Sequence, residues 1–293
     1  MFSLGDPKQA LDPFWWEGAE PIWITAEKQG VRTATAFWPG SEVLIHGTRP
    51  RDWLRFDQNI GNAQRVNTVL DWMRRPAAIR PWLVTLYFDT VDTMGHRFGI
   101  DSAEVNAAIA DVDARIGELA DGLAEMGIAA NIVIVSDHGM AAQDEARTIQ
   151  LDMLIDRASY VPVETGPYAA IEPVTGTDNR VADALLKPHA HMSCQRKEDL
   201  PKRLHYGMNV RVAAIVCLAD IGWRYRSTQL QQYATPALGG HGWDPQAPEM
   251  AAVFIASGPA FRHGATLSTF ENVSVYPLLA QLIGITPEAN QGN

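Results

Sequence analysis

Residues 81–96 read PWLVTLYFDTVDTMGH: aliphatic, aromatic and β-branched side chains from Pro81 to Phe88, then two carboxylates and a histidine in quick succession. A short apolar run bounded by turn signals reads as a buried strand. The same grammar returns at Asn131 to Val135 (NIVIV), which runs into Ser136-Asp137-His138-Gly139-Met140. Between the two, Val105, Ala108, Ile109, Val112, Ile116, Leu119, Leu123 and Met126 recur every three or four residues, the spacing of one helix face. Asp101 and Glu104 offer a capping box, and Gly127 a C-terminal stop. Strand, helix and strand make one βαβ crossover.

Working outward, Pro21 to Gln29 reads as a helix ended by Gly30, Val31 to Trp38 as a strand, and Gly61 to Arg74 as a second amphipathic helix. Near the C-terminus, Met250 to Ala256 reads as a strand and Val273 to Gly284 as a helix. This alternation predicts an α/β fold, a three-layer sheet with helices on both faces, in a single domain. The stretch from about 160 to 235 breaks the rhythm, with strands at Tyr160 to Pro173 and Arg211 to Asp220 around a short helix at Asn179 to Leu186. It is expected to be a small α+β insertion or cap.

The 293 residues carry 24 Lys and Arg against 34 Asp and Glu, a formal charge of -10. That field repels polyanions and argues against binding duplex nucleic acid. A small phosphate ester is not excluded, because bound cations can reverse the local potential. The longest apolar stretches fall well short of the roughly 20 residues of a membrane helix. Met1 to Asp6 has neither a basic nor an apolar leader segment, so no signal peptide is read in the chain. Cys194 and Cys217 are too few for a cysteine-rich zinc module, and pairing and free thiols stay open.

In open α/β sheets, ligands gather beyond the carboxyl ends of the strands. The two strand ends here carry Asp89, Asp92 and His96, and Asp137 and His138; far downstream comes Gly239-Gly240-His241-Gly242-Trp243-Asp244. Carboxylate and imidazole donors beside glycine suit a hydrolytic zinc site better than a structural one. Taken singly, each pair could be a turn, a cap or a shared helix face. Three such segments in one chain shift the reading toward a metal centre.

The strings DTVDTMGHRFG, VSDHGM and GGHGWD, in this order, resemble the nucleotide pyrophosphatase/phosphodiesterases of the alkaline phosphatase superfamily. The stretches EPIWITAEKQGVRTATAFWPGSEV and ENVSVYPLLAQLIGI are similar to that family too. The resemblance implies an alkaline phosphatase-like core and hydrolysis of phosphodiester or pyrophosphate bonds in nucleotides or related small esters. It implies two zinc ions that clamp an in-line phosphoryl transfer. Carried over by motif, Asp92, His96 and His241 would hold one zinc, and Asp137 and His138 would supply half of the other. Tyr87 would stack a base or pack substrate, with a buried strand tyrosine the equal alternative. A periplasmic or secreted location would follow for the family.

The family also uses a strand ending in an aspartate, and a threonine or serine that attacks phosphorus, both upstream of the segment matched by EKQG. MFSLGDPKQALDPFWWEGA holds neither, so the chain is expected to be N-terminally incomplete, with no catalytic nucleophile of its own and impaired turnover. Asp6, Asp12 and Ser3 are not promoted to that role, and Thr33, Thr35 and Ser41 are read as structural. Were such a strand missing, its neighbours would expose edges and apolar surface. Other branches of the superfamily, or a metal- or nucleotide-binding relic, are the alternative readings. His189 and His191 are read as a solvated loop, His205 and His263 as surface, His46 as core or strand end. Trp15, Trp16, Trp23 and Trp38 are read as core.

Overall fold

The computed structural model describes residues 6–230 and 237–292. Ser3 and residues 231–235 of the expected insertion lie outside the described residues. In chain order the helices are α1 (Pro7–Ala10), α2 (Ile22–Lys28), α3 (Asn62–Met73), α4 (Thr90–Phe98), α5 (Ala103–Glu125), α6 (Asp178–Leu185) and α7 (Val275–Ile283). The strands are β1 (Thr33–Ala36), β2 (Asp52–Leu54), β3 (Leu83–Leu86), β4 (Ile132–Val135), β5 (Ala141–Ala142), β6 (Thr148–Gln150), β7 (Tyr160–Glu164), β8 (Tyr168–Pro173), β9 (Met192–Arg196), β10 (Ile215–Ala219), β11 (Arg224–Arg226), β12 (Gly239–Gly240) and β13 (Phe254–Ser257). They fall into two compact units: Met1–Thr90, Ile109–Ile134 and Ile255–Asn293 in the first, Val91–Ala108 and Val135–Phe254 in the second.

In the first unit β1 lies between β2 and β3, parallel to both, with Ala34 opposite Asp52 and Val84. Helix α3 buries Val66, Val69, Leu70 and Trp72, the stripe that its spacing sets toward the sheet. Val66 and Leu70 meet Leu123 of α5, while Ile24, Ile45 and Ala280 centre a separate cluster. Trp23 is buried there and Trp16 and Trp38 pack against it, as expected of core tryptophans. Thr33, Thr35 and Ser41 are wholly buried, in keeping with structural roles.

Among the described residues β3 pairs with β1 only, and β4 with β13 only. Strands inside a parallel sheet are ordinarily buried on both faces. Yet Val84 to Leu86 and all four residues of β4 are half-buried, and Ile255 on β13 is 53% exposed. Open edges and exposed aliphatic surface are thus present around these strands.

The second unit holds an antiparallel sheet in the order β7-β8-β10-β9, against which α6 buries Val181 and Leu185 with Ile171, Ile215 and Trp243. The mixed strand and helix content expected of this stretch is there. Cys194 and Cys217 face each other across β9 and β10 and form a disulfide, which settles the pairing left open by the sequence. A 23-residue separation makes such a bond worth about 3 kcal/mol through loss of unfolded-chain entropy.

Asp152 anchors the chain beyond β11. Burial works to raise its carboxyl, but Tyr160 Oη at 2.6 Å, Thr228 N and Oγ1 at 2.8 Å and Ser227 Oγ at 3.1 Å donate to it and hold it at about 2. A lowered carboxylate contributes stability that is complete above its unfolded value, about 3.9, and fades as pH falls toward the folded one. Asp152→Asn is therefore expected to lower the urea midpoint near neutral pH. The gap from the native chain should narrow between about pH 4 and about pH 2; a gap that stays constant with pH would refute the role.

Several boundaries differ from the sequence reading for identifiable reasons. Helix α5 is capped by Ser102, whose Oγ accepts from Val105 N at 3.2 Å, rather than by an Asp101–Glu104 box. The last strand begins at Phe254, not Met250, because residues 248–250 form a 3₁₀ turn and Met250 O accepts from Gly139 N. His46 is exposed and paired with Glu20 at 3.2 Å, not core. His189 bonds Ala184 O, while His191 stacks on Trp223 and pairs with Asp220 at 3.0 Å, and neither joins the His/Asp group found among the described residues.

Candidate metal centre

The five residues carried over by motif as metal ligands, Asp92, His96, Asp137, His138 and His241, lie in the second unit. Helix α4 places Asp92 and His96 four residues apart, hence on one face. Asp137 and His138 sit in the turn leaving β4. Strand β12 pairs antiparallel with β5, Gly240 opposite Ala141, and so carries His241 back beside that turn. Helix α4 is tied in as well, since Leu238 N donates to His96 O at 2.8 Å.

Three donor atoms converge. His96 Nε2 lies 3.1 Å from His241 Nε2 and 3.4 Å from Asp92 Oδ1, and His241 Nε2 lies 3.5 Å from the same oxygen. Ligands 2.0–2.1 Å from a tetrahedral ion stand about 3.3 Å apart, so this spacing fits one zinc-sized cation. Asp92 Oδ1 is buried without a hydrogen-bond partner, a costly state for a carboxylate oxygen that a cation would relieve.

His138 stacks on His241 with ring centroids 3.5 Å apart, and Asp92, His138 and His241 each bring a ligand atom to within 4.8 Å of the others. Asp137 Oδ2 lies 3.5 Å from His138 Nε2, with its side chain 77% exposed. Burial, then the neighbouring His138, push the His241 imidazole below its ordinary value. The neutral ring is the form that ligates.

Backbone carbonyls orient the rings. His96 Nδ1 donates to Gly239 O at 2.8 Å and His138 Nδ1 to Gly139 O at 2.9 Å, which leaves each Nε2 as the ligating atom. Sequence reasoning missed these acceptors, because a carbonyl carries no residue-type signal. It also missed the double ion pair of Arg203 with Asp244, which braces the loop just after His241. The carboxylate within GGHGWD was its only trace.

The glycines of the motifs matter for approach. A Cβ on Gly239 would stand 2.5 Å from Gly95 O and 2.8 Å from Met140 Sδ, so the helix carrying Asp92 and the strand carrying His241 meet backbone to backbone. Gly239→Ala is expected to cost about 1–3 kcal/mol from overpacking. Zinc affinity should drop with it, read by chelator competition; an unchanged affinity would show that the separation of these segments is immaterial.

Tyr87 belongs to the first unit, half-buried, its ring 6.0 Å from Phe56 and its backbone oxygen bonded to Arg65.

The sequence profile of the type I phosphodiesterase/nucleotide pyrophosphatase family matches residues 1–244. The chain belongs to this family. Among curated relatives of this phosphodiesterase family, the bis(5'-adenosyl)-triphosphatase of Xenopus laevis is 37% identical over 95% of the chain and 61% of its own length. Ectonucleotide pyrophosphatase/phosphodiesterase family member 5 of Homo sapiens is 35% identical over 100% of the chain and 60% of its own. The chain therefore spans about three fifths of the length of these relatives. The solved structure of murine family member 5 superposes with a TM-score of 0.90 at 35% identity, covering 98% of this chain and 76% of that one. An inactive threonine-to-alanine variant of that murine protein, solved in complex with AMP, superposes equally, with a TM-score of 0.90. The fold is accordingly α/β of the alkaline phosphatase type, as expected.

Proposed function

We propose that the site described above serves zinc-dependent hydrolysis of phosphodiester or pyrophosphate bonds in nucleotides or related small esters. The observation that carries this reading is the mutual 3.1–3.5 Å spacing of the Asp92, His96 and His241 donor atoms. These three residues would hold one zinc, while Asp137 and His138 would supply half of a second site. Bound zinc supplies Lewis-acid stabilisation of charge on the transferring phosphoryl group. Asp92 would offer a carboxylate oxygen, while Gly239 O and Gly139 O orient the imidazoles of His96 and His138. Tyr87 would pack the base or another apolar part of the substrate. Residues 1–293 would form a single catalytic domain with an inserted subdomain at about 160–235, acting in a secreted or periplasmic setting. No described helix is long and apolar enough to cross a membrane.

The attacking hydroxyl is assigned to no residue of this chain. A second reading follows, binding of a nucleoside monophosphate without turnover. The inactive threonine variant of the murine relative in complex with AMP supports it.

Hydrolysis of a nitrophenyl nucleotide phosphodiester in added zinc, beside Asp92→Ala, tests both. The expected result is a folded, zinc-loaded chain with little or no turnover that still binds AMP. Zinc-dependent turnover that Asp92→Ala abolishes would place an attacking group within the chain and overturn the impairment. Absence of zinc binding would overturn the site itself.

A further inference from the structure

We infer that Arg224 and Arg226 of β11 form a binding site for a dianionic phosphate, free or carried as a monoester, which the Glu145 carboxylate fills as a tethered competitor. This goes beyond the metal-site reading and rests on different residues.

Residues 224–226 read Arg-Tyr-Arg, and alternation along a strand sends the two arginines to one face and Tyr225 to the other. Tyr225 is buried in the core of the second unit. On the opposite face Arg224 Nη2 and Arg226 Nη2, the latter at 2.6 Å, both donate to a single atom, Glu145 Oε1. Among the described residues no other carboxylate pairs with either arginine, so two positive charges share one negative charge. The neighbouring Asp144 carboxylate is turned to Ala146 N at 2.9 Å. Arg147 O accepts from Arg224 N at 3.0 Å, which ties the loop carrying Glu145 to the head of β11.

The Arg224 side chain is only 9% exposed, and its Nε is buried without a hydrogen-bond partner. An unpaired donor on a buried cation is costly. Nε and Nη2 lie along one edge of the planar guanidinium, the fork that takes two oxygens of one anion. Glu145 leaves half of that fork empty, because the oxygen it offers there is the one shared with Arg226. A phosphate has three acceptor oxygens and close to two negative charges, enough to meet Arg224 Nε, Arg224 Nη2 and Arg226 Nη2 together and to neutralise both guanidiniums. Glu145 is placed to yield: its side chain is 45% exposed and stands in the loop between β5 and β6.

The test is isothermal titration calorimetry on the whole chain, stripped of metal with chelator and dialysed, at constant ionic strength, with inorganic phosphate and phenyl phosphate as probes. Glu145→Gln, which keeps the shape of the side chain and removes the competing charge, is expected to bind phosphate at least about 10-fold more tightly than the native chain. Arg224→Met and Arg226→Met are expected to bind it at least about 10-fold more weakly. Arg226 is the less buried of the two, so its variant keeps the test decisive if Arg224→Met fails to fold. Equal affinity for the two probes would support a site for the phosphate group alone, and tighter phenyl phosphate a site for a monoester. A phosphate affinity that Glu145→Gln leaves unchanged or lowers, or that folded Arg226→Met retains, would overturn the proposal. Absence of phosphate binding in both the native chain and Glu145→Gln would overturn it equally. The chain is metal-free throughout, so this inference and the zinc reading fail separately.

Discussion

Replacing Asp92 with alanine is expected to lower zinc affinity by at least about 100-fold while leaving the secondary structure intact. Asp92 Oδ1 lies within 3.5 Å of both His96 Nε2 and His241 Nε2, and it is buried with no hydrogen bond to compensate. Without it two imidazole nitrogens 3.1 Å apart remain, a pair that lacks the charge to hold a divalent ion tightly. His241→Ala removes the other shared donor and should act in the same direction. His191→Ala, whose ring lies on Trp223 and pairs with Asp220, is the control that should leave zinc binding unchanged. Equilibrium competition with a chromophoric chelator reads all three. Unchanged metal content in Asp92→Ala or His241→Ala would remove these residues from the site.

The second large effect is expected at Arg65. Its side chain is 2% exposed, donates to Asp89 at 2.7 Å, Tyr87 O at 3.1 Å and Ile60 O at 2.9 Å, and lies 4.7 Å over the Phe37 ring. Deleting one partner of a buried ion pair strands the other, at a cost of about 3–5 kcal/mol. Arg65→Ala also leaves two carbonyls short of a donor and opens a cavity beside Phe37. Denaturant unfolding should show the full loss for Arg65→Ala. The double variant Arg65→Met with Asp89→Leu, which removes both charges and keeps the volume, should recover most of it. A single-variant loss below about 1 kcal/mol would mean that water reaches Asp89 and the pair is effectively a surface one.

Much of this protein is legible locally. The period-three-and-four stripe from Val105 to Met126 became α5, and PWLVTLYF and NIVIV became β3 and β4, because side-chain spacing along one segment reports which face is buried. Ligand candidates were legible for a related reason: carboxylate and imidazole beside glycine after a strand is a pattern of adjacent residues. Caps and ends were less so. Ser102 rather than Asp101 caps α5, since which oxygen reaches the first free amide depends on backbone angles that residue names do not carry.

The sequence by itself determined the fold class and the family and named the candidate metal ligands, since each is written in spacing along a single segment. Only the tertiary structure decided that Cys194 and Cys217 pair, that His46 meets Glu20 at the surface, and that Gly239 O sets the tautomer of His96. It alone brought Asp92 and His241 to 3.5 Å across more than a hundred residues of chain, and set β3 beside β1 and β4 beside β13. Those outcomes depend on how distant segments pack and on which backbone groups find partners, and no local pattern of side chains encodes that.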